Sequence, residues 1–100
     1  MKIEIVFFIY AIWSEKFDKI YVGMTKSPEN RLKTHNAGKS SYTKKFLPWH
    51  RFYLEEVVSR ADAIKKEKYY KSGWGRQKLK LELEKSREPF QGNVIIWQIT

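Results

Sequence analysis

Two tyrosines, an arginine and a histidine fall within the first 35 residues of the chain: Tyr10, Tyr21, Arg31 and His35. A guanidinium can hold two oxygens of an anion in one bidentate contact, and an imidazole with an ordinary pKa of about 6.5 can act as a base near neutral pH. A phenol keeps its proton below about pH 10, so a tyrosine base would need a neighbour that perturbs its pKa. Each of the four could also be ordinary scaffold, and together they could form a reaction centre.

The two tyrosines fall in neighbouring segments with the composition of strands. Residues 3–13 are rich in β-branched and aromatic side chains and predict a central strand, and residues 20–24 predict a second strand paired with it in a hairpin. If the loop comprises residues 14–19, the alternation of side chains places Tyr10 on the same face as Tyr21. A loop of odd length would place them on opposite faces.

A short helix is predicted between Ser27 and Gly38. Ser27 can cap its start, Pro28 suits its first turn, and Gly38 fits just past its end. Arg31 and His35 are four residues apart and therefore share one face of this helix.

The second half of the chain completes a small α+β domain with a mostly antiparallel, three-stranded sheet flanked by helices. Ser59 and Asp62 have the spacing of a capping box, and the Gly73 and Gly75 pair is expected to end the helix that they begin. The expected elements are a loop (38–49), a strand (50–58), a helix (59 to about 71), a second helix (76–88) and an added C-terminal strand (93–100). We expect residues 1–100 to form one domain, with its core at about 6–80 and a tail at 90–100.

Glu67 lies where the pattern of the 59–71 helix expects an apolar residue. Ala63, Ile64, Tyr70 and Trp74 recur at helical spacing and predict the inward stripe, and Glu67 falls within that stripe. A carboxylate that points towards an apolar face is costly unless it has a partner or a metal. Glu67 could equally lie at the edge of the stripe and pair with the lysine four residues later.

The net charge of +9 indicates a polyanionic partner, most often a nucleic acid, although a lysine-rich surface can also serve solubility. Basic residues concentrate in residues 60–80, and residues 38–51 mix bases with aromatic side chains, which suits phosphate contacts with some stacking. The chain has no cysteine and two histidines, so a metal would have to rely on oxygen ligands, which favours a hard ion such as magnesium.

The longest apolar run, residues 5–13, is far shorter than the roughly 20 residues that span a bilayer, and it lacks the features of a signal peptide. A long, basic amphipathic helix typical of membrane-surface proteins is also missing from the sequence. We therefore expect a cytoplasmic protein that does not bind membranes.

The segments FIY at residues 8–10 and YVG at residues 21–23 resemble the paired motif of the GIY-YIG endonuclease family. The resemblance continues with an arginine ten residues after the second tyrosine (Arg31), a histidine four residues later (His35) and a glutamate on a later helix (Glu67). Several elements in the family's order make this pattern specific, whereas any one of them occurs by chance.

The resemblance implies a nuclease that hydrolyses phosphodiester bonds with one divalent ion, Mg²⁺ or Mn²⁺. Glu67 would bind the metal, and Arg31 would hold the scissile phosphate. Tyr21 or Tyr10 would activate or orient the attacking water with His35 as a helper, and the sequence does not choose among these three as the base.

The resemblance covers roughly residues 6–79 and departs from the family pattern in two places. Phe8 stands where the name-giving motif has glycine, although the chemistry resides on the tyrosine. An asparagine that some branches carry near the end of the domain has only Asn93 as a counterpart, and the 90–100 tail lies outside the resemblance.

Six further positions are expected to contact the nucleic acid, which would be DNA or else RNA. They are Gly23, Lys39, Thr43, Lys44, Lys45 and Arg76. Gly23 would let the DNA backbone approach, or it could mark a bulge or a sheet edge.

The leading hypothesis is a structure-selective or weakly sequence-selective DNA endonuclease, because one small domain has little surface for reading a long sequence. A homodimer or a partner protein would then supply specificity. The alternative is a non-catalytic nucleic-acid-binding module that retains the nuclease fold, since the basic residues would serve it equally well.

Overall fold

The computed structural model describes residues 6–87, and its elements confirm the α+β class. They are β1 (Phe7–Ser14), β2 (Lys19–Thr25), α1 (Pro28–Asn36), a 3₁₀ turn (Thr43–Phe46), β3 (His50–Val57), α2 (Arg60–Tyr70) and α3 (Gly73–Arg87). The strands form an antiparallel sheet in the order β2-β1-β3, so β1 is central, as predicted. The predicted C-terminal strand lies outside the described residues.

The hairpin of β1 and β2 has the register predicted for a six-residue loop. Ile12 pairs with Tyr21, and Tyr10 pairs with Gly23. The turn is closed by Asp18, which has a φ of 51° and accepts a hydrogen bond of 3.2 Å from the Trp13 indole N–H. The side chains of Tyr10 and Tyr21 therefore share a face of the sheet, which confirms the prediction.

The two faces of the sheet bury different cores. The face with the odd-numbered β1 residues packs against α2 and α3, and its buried residues are Phe7, Ile9, Ala11, Val22, Val57, Ala63, Tyr70 and Leu79. The opposite face packs against α1 and the loop before β3 through Tyr10, Ile12 and Trp49, with Tyr21, Leu32, Phe46 and Leu47 around them. Tyr10 thus lies in the smaller core, beneath α1.

Both ends of α1 lie where they were predicted, with one difference at the N-cap. Gly38 has a φ of +76°, a left-handed conformation that suits glycine. Its N–H donates to the carbonyl of His35, and the N–H of Lys39 donates to that of Thr34, the pattern of a Schellman motif. Ser27 stands at the N-cap without a side-chain hydrogen bond, so the prediction that it caps the helix was wrong.

The turn between α2 and α3 changes which residues face inward. The Ser59 hydroxyl accepts from the Asp62 N–H at 3.0 Å, so the predicted cap is present. The α3 helix begins at Gly73, earlier than predicted, and Gly75 lies buried inside it, against the backbone of Tyr69, where a side chain would clash. The chain therefore changes direction before Trp74.

The predicted inward stripe of α2 was correct in part. Ala63 and Tyr70 are buried, whereas Ile64 is 37% exposed and Trp74 is 82% exposed. The prediction failed for Trp74 because α2 ends at Tyr70, so the helical period does not continue to position 74.

A polar cluster fastens β3 to α2. The Glu55 carboxylate accepts hydrogen bonds from the hydroxyls of Tyr53 and Tyr70 at 2.7 and 2.8 Å, and it lies 2.7 Å from the Lys66 ammonium. Burial raises the pKa of Glu55, but the hydrogen bonds from Lys66, Tyr53 and Tyr70 and the charge of Lys66 outweigh burial and hold this pKa at about 2.

None of the helices within residues 6–87 is long and apolar enough to cross a membrane.

Candidate active site

The Tyr10 hydroxyl is hydrogen-bonded to a histidine from another element. Tyr10 lies in the middle of β1, and its oxygen is 2.8 Å from Nε2 of His35 near the end of α1. Tyr10 is 2% exposed and His35 is fully buried. The sequence placed these residues on one strand and one helix, and the structure joins them through this bond.

The second ring nitrogen of His35 is also bonded. Nδ1 lies 2.8 Å from the hydroxyl of Thr43, the first residue of the 3₁₀ turn. Burial, and then the charge of Arg31, lowers the pKa of His35, so the ring is neutral near pH 7. The neutral ring therefore offers no positive charge to the C-terminus of α1.

Thr43 differs from its sequence-based assignment. We expected Thr43 to contact nucleic acid, but its side chain is fully buried and its hydroxyl faces His35. Its carbonyl accepts a 2.8 Å hydrogen bond from the Trp49 indole, and the side chain of Asn36 makes hydrogen bonds of 3.0 and 2.7 Å with the Trp49 backbone. These contacts leave no periodic signal in the sequence, because they join a helix to an irregular loop.

Arg31 and Glu67 both lie close enough to the Tyr10 hydroxyl to affect its titration. Burial raises the pKa of Tyr10, the neighbouring Arg31 guanidinium opposes that rise, and the charges of Tyr21 and Glu67 add to it. Arg31 on α1 and Glu67 on α2 thus both influence the pKa of Tyr10 on β1. Glu67 lies 57 positions after Tyr10 in the sequence, and its charge still raises the pKa of Tyr10.

Arg31 does not make the ion pair that would give it a purely structural role. Glu29, the acidic residue in the first turn of α1, pairs with Arg51 at 2.9 Å. None of the ion pairs found among residues 6–87 involves Arg31. Its guanidinium instead acts on the Tyr10 hydroxyl and opposes the rise that burial causes in the pKa of that group.

Glu67 lies at the edge of the α2 stripe with a side chain that is 26% exposed, and its carboxylate is 3.4 Å from the Lys71 ammonium. The described part of the chain contains no cluster of three or more histidine, cysteine, aspartate or glutamate residues that could hold a metal. A single carboxylate still fits a hard ion such as Mg²⁺, which keeps several waters and commonly takes further oxygens from a substrate phosphate.

Gly23 has a role inside the protein. It pairs with Tyr10 across the hairpin, and a Cβ atom at this position would come closer than 3.0 Å to three atoms of the Tyr10 ring, including the hydroxyl oxygen. The glycine therefore makes room for the tyrosine of the neighbouring strand. Contact of Gly23 with nucleic acid stays a prediction.

Tyr21 stands at the centre of an aromatic cluster beside the site. Its ring centroid is 5.1 Å from that of His35, 6.4 Å from Tyr10 and 6.2 Å from Tyr42. The residue is half-buried, and its hydroxyl makes no side-chain hydrogen bond among those found for residues 6–87. Tyr21 is thus less enclosed than Tyr10.

The remaining predicted contact residues are exposed bases. Lys39, Lys44 and Lys45 surround the buried Thr43 on the loop after α1, and Arg76 lies in the first turn of α3. Their exposure suits contact with a polyanion, and such contact stays a prediction.

The chain was compared with families and individual proteins of known sequence and structure. Residues 6–80 match the model of the GIY-YIG catalytic domain. A UPF0213 protein of Bacillus licheniformis is 39% identical over 80 residues, covering 79% of this chain and 82% of that protein. A UPF0213 protein of Staphylococcus haemolyticus is 39% identical over 67 residues, covering 66% of this chain and 82% of that protein.

A UPF0213 protein of Bacillus pumilus is 35% identical over 69 residues, covering 68% of this chain and 69% of that relative. No solved structure gives a significant match. The matched span begins just before β1 and ends within α3, so it contains every residue of the site around Tyr10. The chain belongs to the GIY-YIG family of nuclease catalytic domains.

Proposed function

We propose that the protein is a divalent-metal-dependent endonuclease that hydrolyses phosphodiester bonds of DNA with structure selectivity or weak sequence selectivity. The observation that carries this proposal is the 2.8 Å bond from the Tyr10 hydroxyl to His35, on the helix that also carries Arg31. The charges of Arg31 and Glu67 both act on the pKa of Tyr10. A guanidinium, a carboxylate and phenols are the groups that phosphodiester hydrolysis can use for charge, metal and proton.

Arg31 would hold the scissile phosphate, because its guanidinium can grip two phosphate oxygens and offset the charge that develops on them. Glu67 would hold the metal, and its pairing with Lys71 would be exchanged for that contact. A divalent ion bound there would acidify its water and neutralise charge at the leaving oxygen.

Water activation is assigned to Tyr21 and positioning to Tyr10. Burial raises the pKa of Tyr10, and its hydroxyl is already bonded to His35, so this phenol is poorly placed to become a base. Tyr21 is less enclosed, and its ring lies next to the rings of Tyr10 and His35. Tyr21 would act in its phenolate form, its own proton having passed to solvent. It would take a proton from the attacking water, whose oxygen would bond to phosphorus. The bond from phosphorus to the leaving oxygen would break, and the leaving oxygen would take up a proton from solvent.

The test is the nicking of supercoiled plasmid DNA in Mg²⁺ or Mn²⁺. Wild-type protein should nick, Glu67→Ala should not, and Arg31→Ala should be slower by about 100-fold. Glu84→Ala, which changes an exposed carboxylate on α3, is the matched control and should nick like wild type. Absence of nicking in every metal, or equal nicking by all four proteins, would refute the proposal.

A second candidate is a non-catalytic nucleic-acid-binding module, which the Glu67–Lys71 ion pair favours because it satisfies the carboxylate without a metal. Thermal unfolding with and without Mg²⁺ separates the two candidates. A rise in Tm that disappears in Glu67→Ala supports the nuclease, whereas identical melting curves together with salt-sensitive DNA binding support the module. Cytoplasmic location, binding of RNA and assembly into a homodimer or with a partner stay predictions from the sequence.

A further inference from the structure

A cavity of about 240 Å³ opens beside β2, next to the candidate active site. Within the described sheet β2 is an edge strand, so the backbone groups on its outer side have no partner strand there. The cavity therefore combines the side chains that line it with an accessible row of N–H and C=O groups.

Aromatic rings form one part of the cavity lining, namely Tyr21, Tyr42 and Tyr70. The rings of Tyr21 and Tyr42 are 6.2 Å apart and inclined by 30°. Tyr42 is 48% exposed, although it lies among other aromatic side chains. The pair thus presents an aromatic surface that the described residues leave partly uncovered.

The floor of the cavity is apolar and passes around the edge of the sheet. Ile20 and Val22 alternate with Tyr21 along β2 and point to the opposite face, where Leu79 of α3 is buried. The cavity is smaller than the roughly 300–1,000 Å³ of pockets for drug-sized ligands. Its volume and aromatic lining suit one ring system.

Exposed bases form the rim: Lys71, Arg76 and Lys80. Lys71 is the partner of Glu67, and Tyr21 belongs to both the cavity and the candidate active site. An anionic group bound at this rim would therefore lie next to the residues assigned to the scissile phosphate.

We propose that this cavity binds one unstacked nucleobase, carried by a nucleotide adjacent to the scissile phosphate. Tyr42 and Tyr21 would stack on the flat face of the base, which every base offers, and the basic rim would hold its phosphate. An apolar peptide side chain in this cavity would leave the three basic side chains of the rim without a counter-charge. The inference rests on the proposed nuclease function and names its substrate class as DNA with an unpaired nucleotide at the cut, where unstacking costs least.

The test uses a DNA strand whose cut site for this protein has been mapped. Replacing the base next to the cut by an abasic residue should lower kcat/KM by about tenfold, and so should Tyr42→Ala on the intact strand. Tyr42→Ala should cause no further loss on the abasic strand, because both changes remove the same stacking. Tyr42→Phe should retain activity, as should Tyr69→Ala, which truncates a 45% exposed tyrosine outside the cavity.

The nucleobase site would be overturned if the losses from Tyr42→Ala and from the abasic residue multiplied when combined. It would also be overturned if an abasic residue had no effect at any position near the cut. Either result would leave the proposed nuclease function intact. If no protein cleaves, a fluorescent adenine analogue in an unpaired position gives an independent measurement. Wild-type protein should change its fluorescence and Tyr42→Ala should not. Equal signals from the two proteins would overturn the site by itself.

Discussion

The Tyr10 hydroxyl lies 2.8 Å from Nε2 of His35, and both side chains are buried. Because Tyr10 makes this bond and Tyr21 does not, we expect the two tyrosines to differ in their roles. Tyr10→Phe leaves a buried ring nitrogen without a partner and should lower the free energy of unfolding by about 1–3 kcal/mol. Tyr21→Phe should lower it by about 0.5 kcal/mol or less while abolishing nicking. Urea denaturation and plasmid nicking of both variants check this, and equal destabilisation would contradict it.

Stability should fall below about pH 6.5 because of His35. Its pKa in the folded protein is lowered, first by burial and then by Arg31, so below about pH 6.5 the unfolded chain binds a proton that the folded protein resists. The contribution is complete above that pH and is lost as pH falls towards the folded pKa. Urea denaturation should give a larger free energy of unfolding at pH 7.5 than at pH 5.5, and His35→Gln should reduce this difference. His50→Gln, at an exposed position on β3, is the control.

A separate loss of stability should occur in stronger acid because of Glu55. Its pKa of about 2 lies below the unfolded value of 4.5, so its contribution is present above pH 4.5 and is lost as pH falls through about 2. Glu55→Gln should cost about 2 kcal/mol at pH 7, since hydrogen bonds to a charged group are among the stronger ones. Denaturation at pH 7 and pH 3 should show the gap between wild type and variant narrowing, and a constant gap would count against this origin.

Gly23→Ala should damage the site through Tyr10. The added methyl group would overlap the Tyr10 ring and should cost about 1–3 kcal/mol in stability, with a loss of nicking. Gly73→Ala is the matched control, because its Cβ would meet no atom within 4 Å. Thermal melts of the two variants should differ, with only Gly23→Ala shifted to lower temperature.

The loop after α1 should contribute to DNA affinity through charge. Lys44→Ala and Lys45→Ala should each reduce the slope of log affinity against log salt by about 0.9, if each lysine neutralises one phosphate. Fluorescence anisotropy with a short DNA duplex at several salt concentrations measures that slope. Lys85→Ala, an exposed base near the end of α3, is the control. An unchanged slope in the double variant would remove this loop from the DNA contact.

Local rules predicted the parts of the molecule that depend on neighbours in sequence. The period of two and the length of the hairpin loop were enough to predict that Tyr10 and Tyr21 share a face, and the register confirms it. The helical period failed at Trp74 because a turn that depends on Gly75 packing against α2 interrupts it.

Tertiary contacts account for what the sequence did not predict. Thr43 sits among polar loop residues, and its burial follows from His35 and Trp49, which lie eight and six residues away. A polar residue that is buried because its partners are folded around it leaves no periodic trace in the sequence. The prediction that Arg31 and Glu67 act at one site with Tyr10 likewise came only from the family resemblance and not from spacing.

The two hydrogen bonds of His35 have a consequence for proton movement. Tyr10 and Thr43 both offer hydroxyl groups, and each can donate or accept. The imidazole can therefore exchange one tautomer for the other, and both bonds survive if the hydroxyl protons rotate with it. In one tautomer the Tyr10 proton points to the ring, and in the other the ring N–H points to the Tyr10 oxygen and the Tyr10 proton turns away. Protons can thus be redistributed between the two ends of this chain of hydrogen bonds without placing a charge in the protein interior.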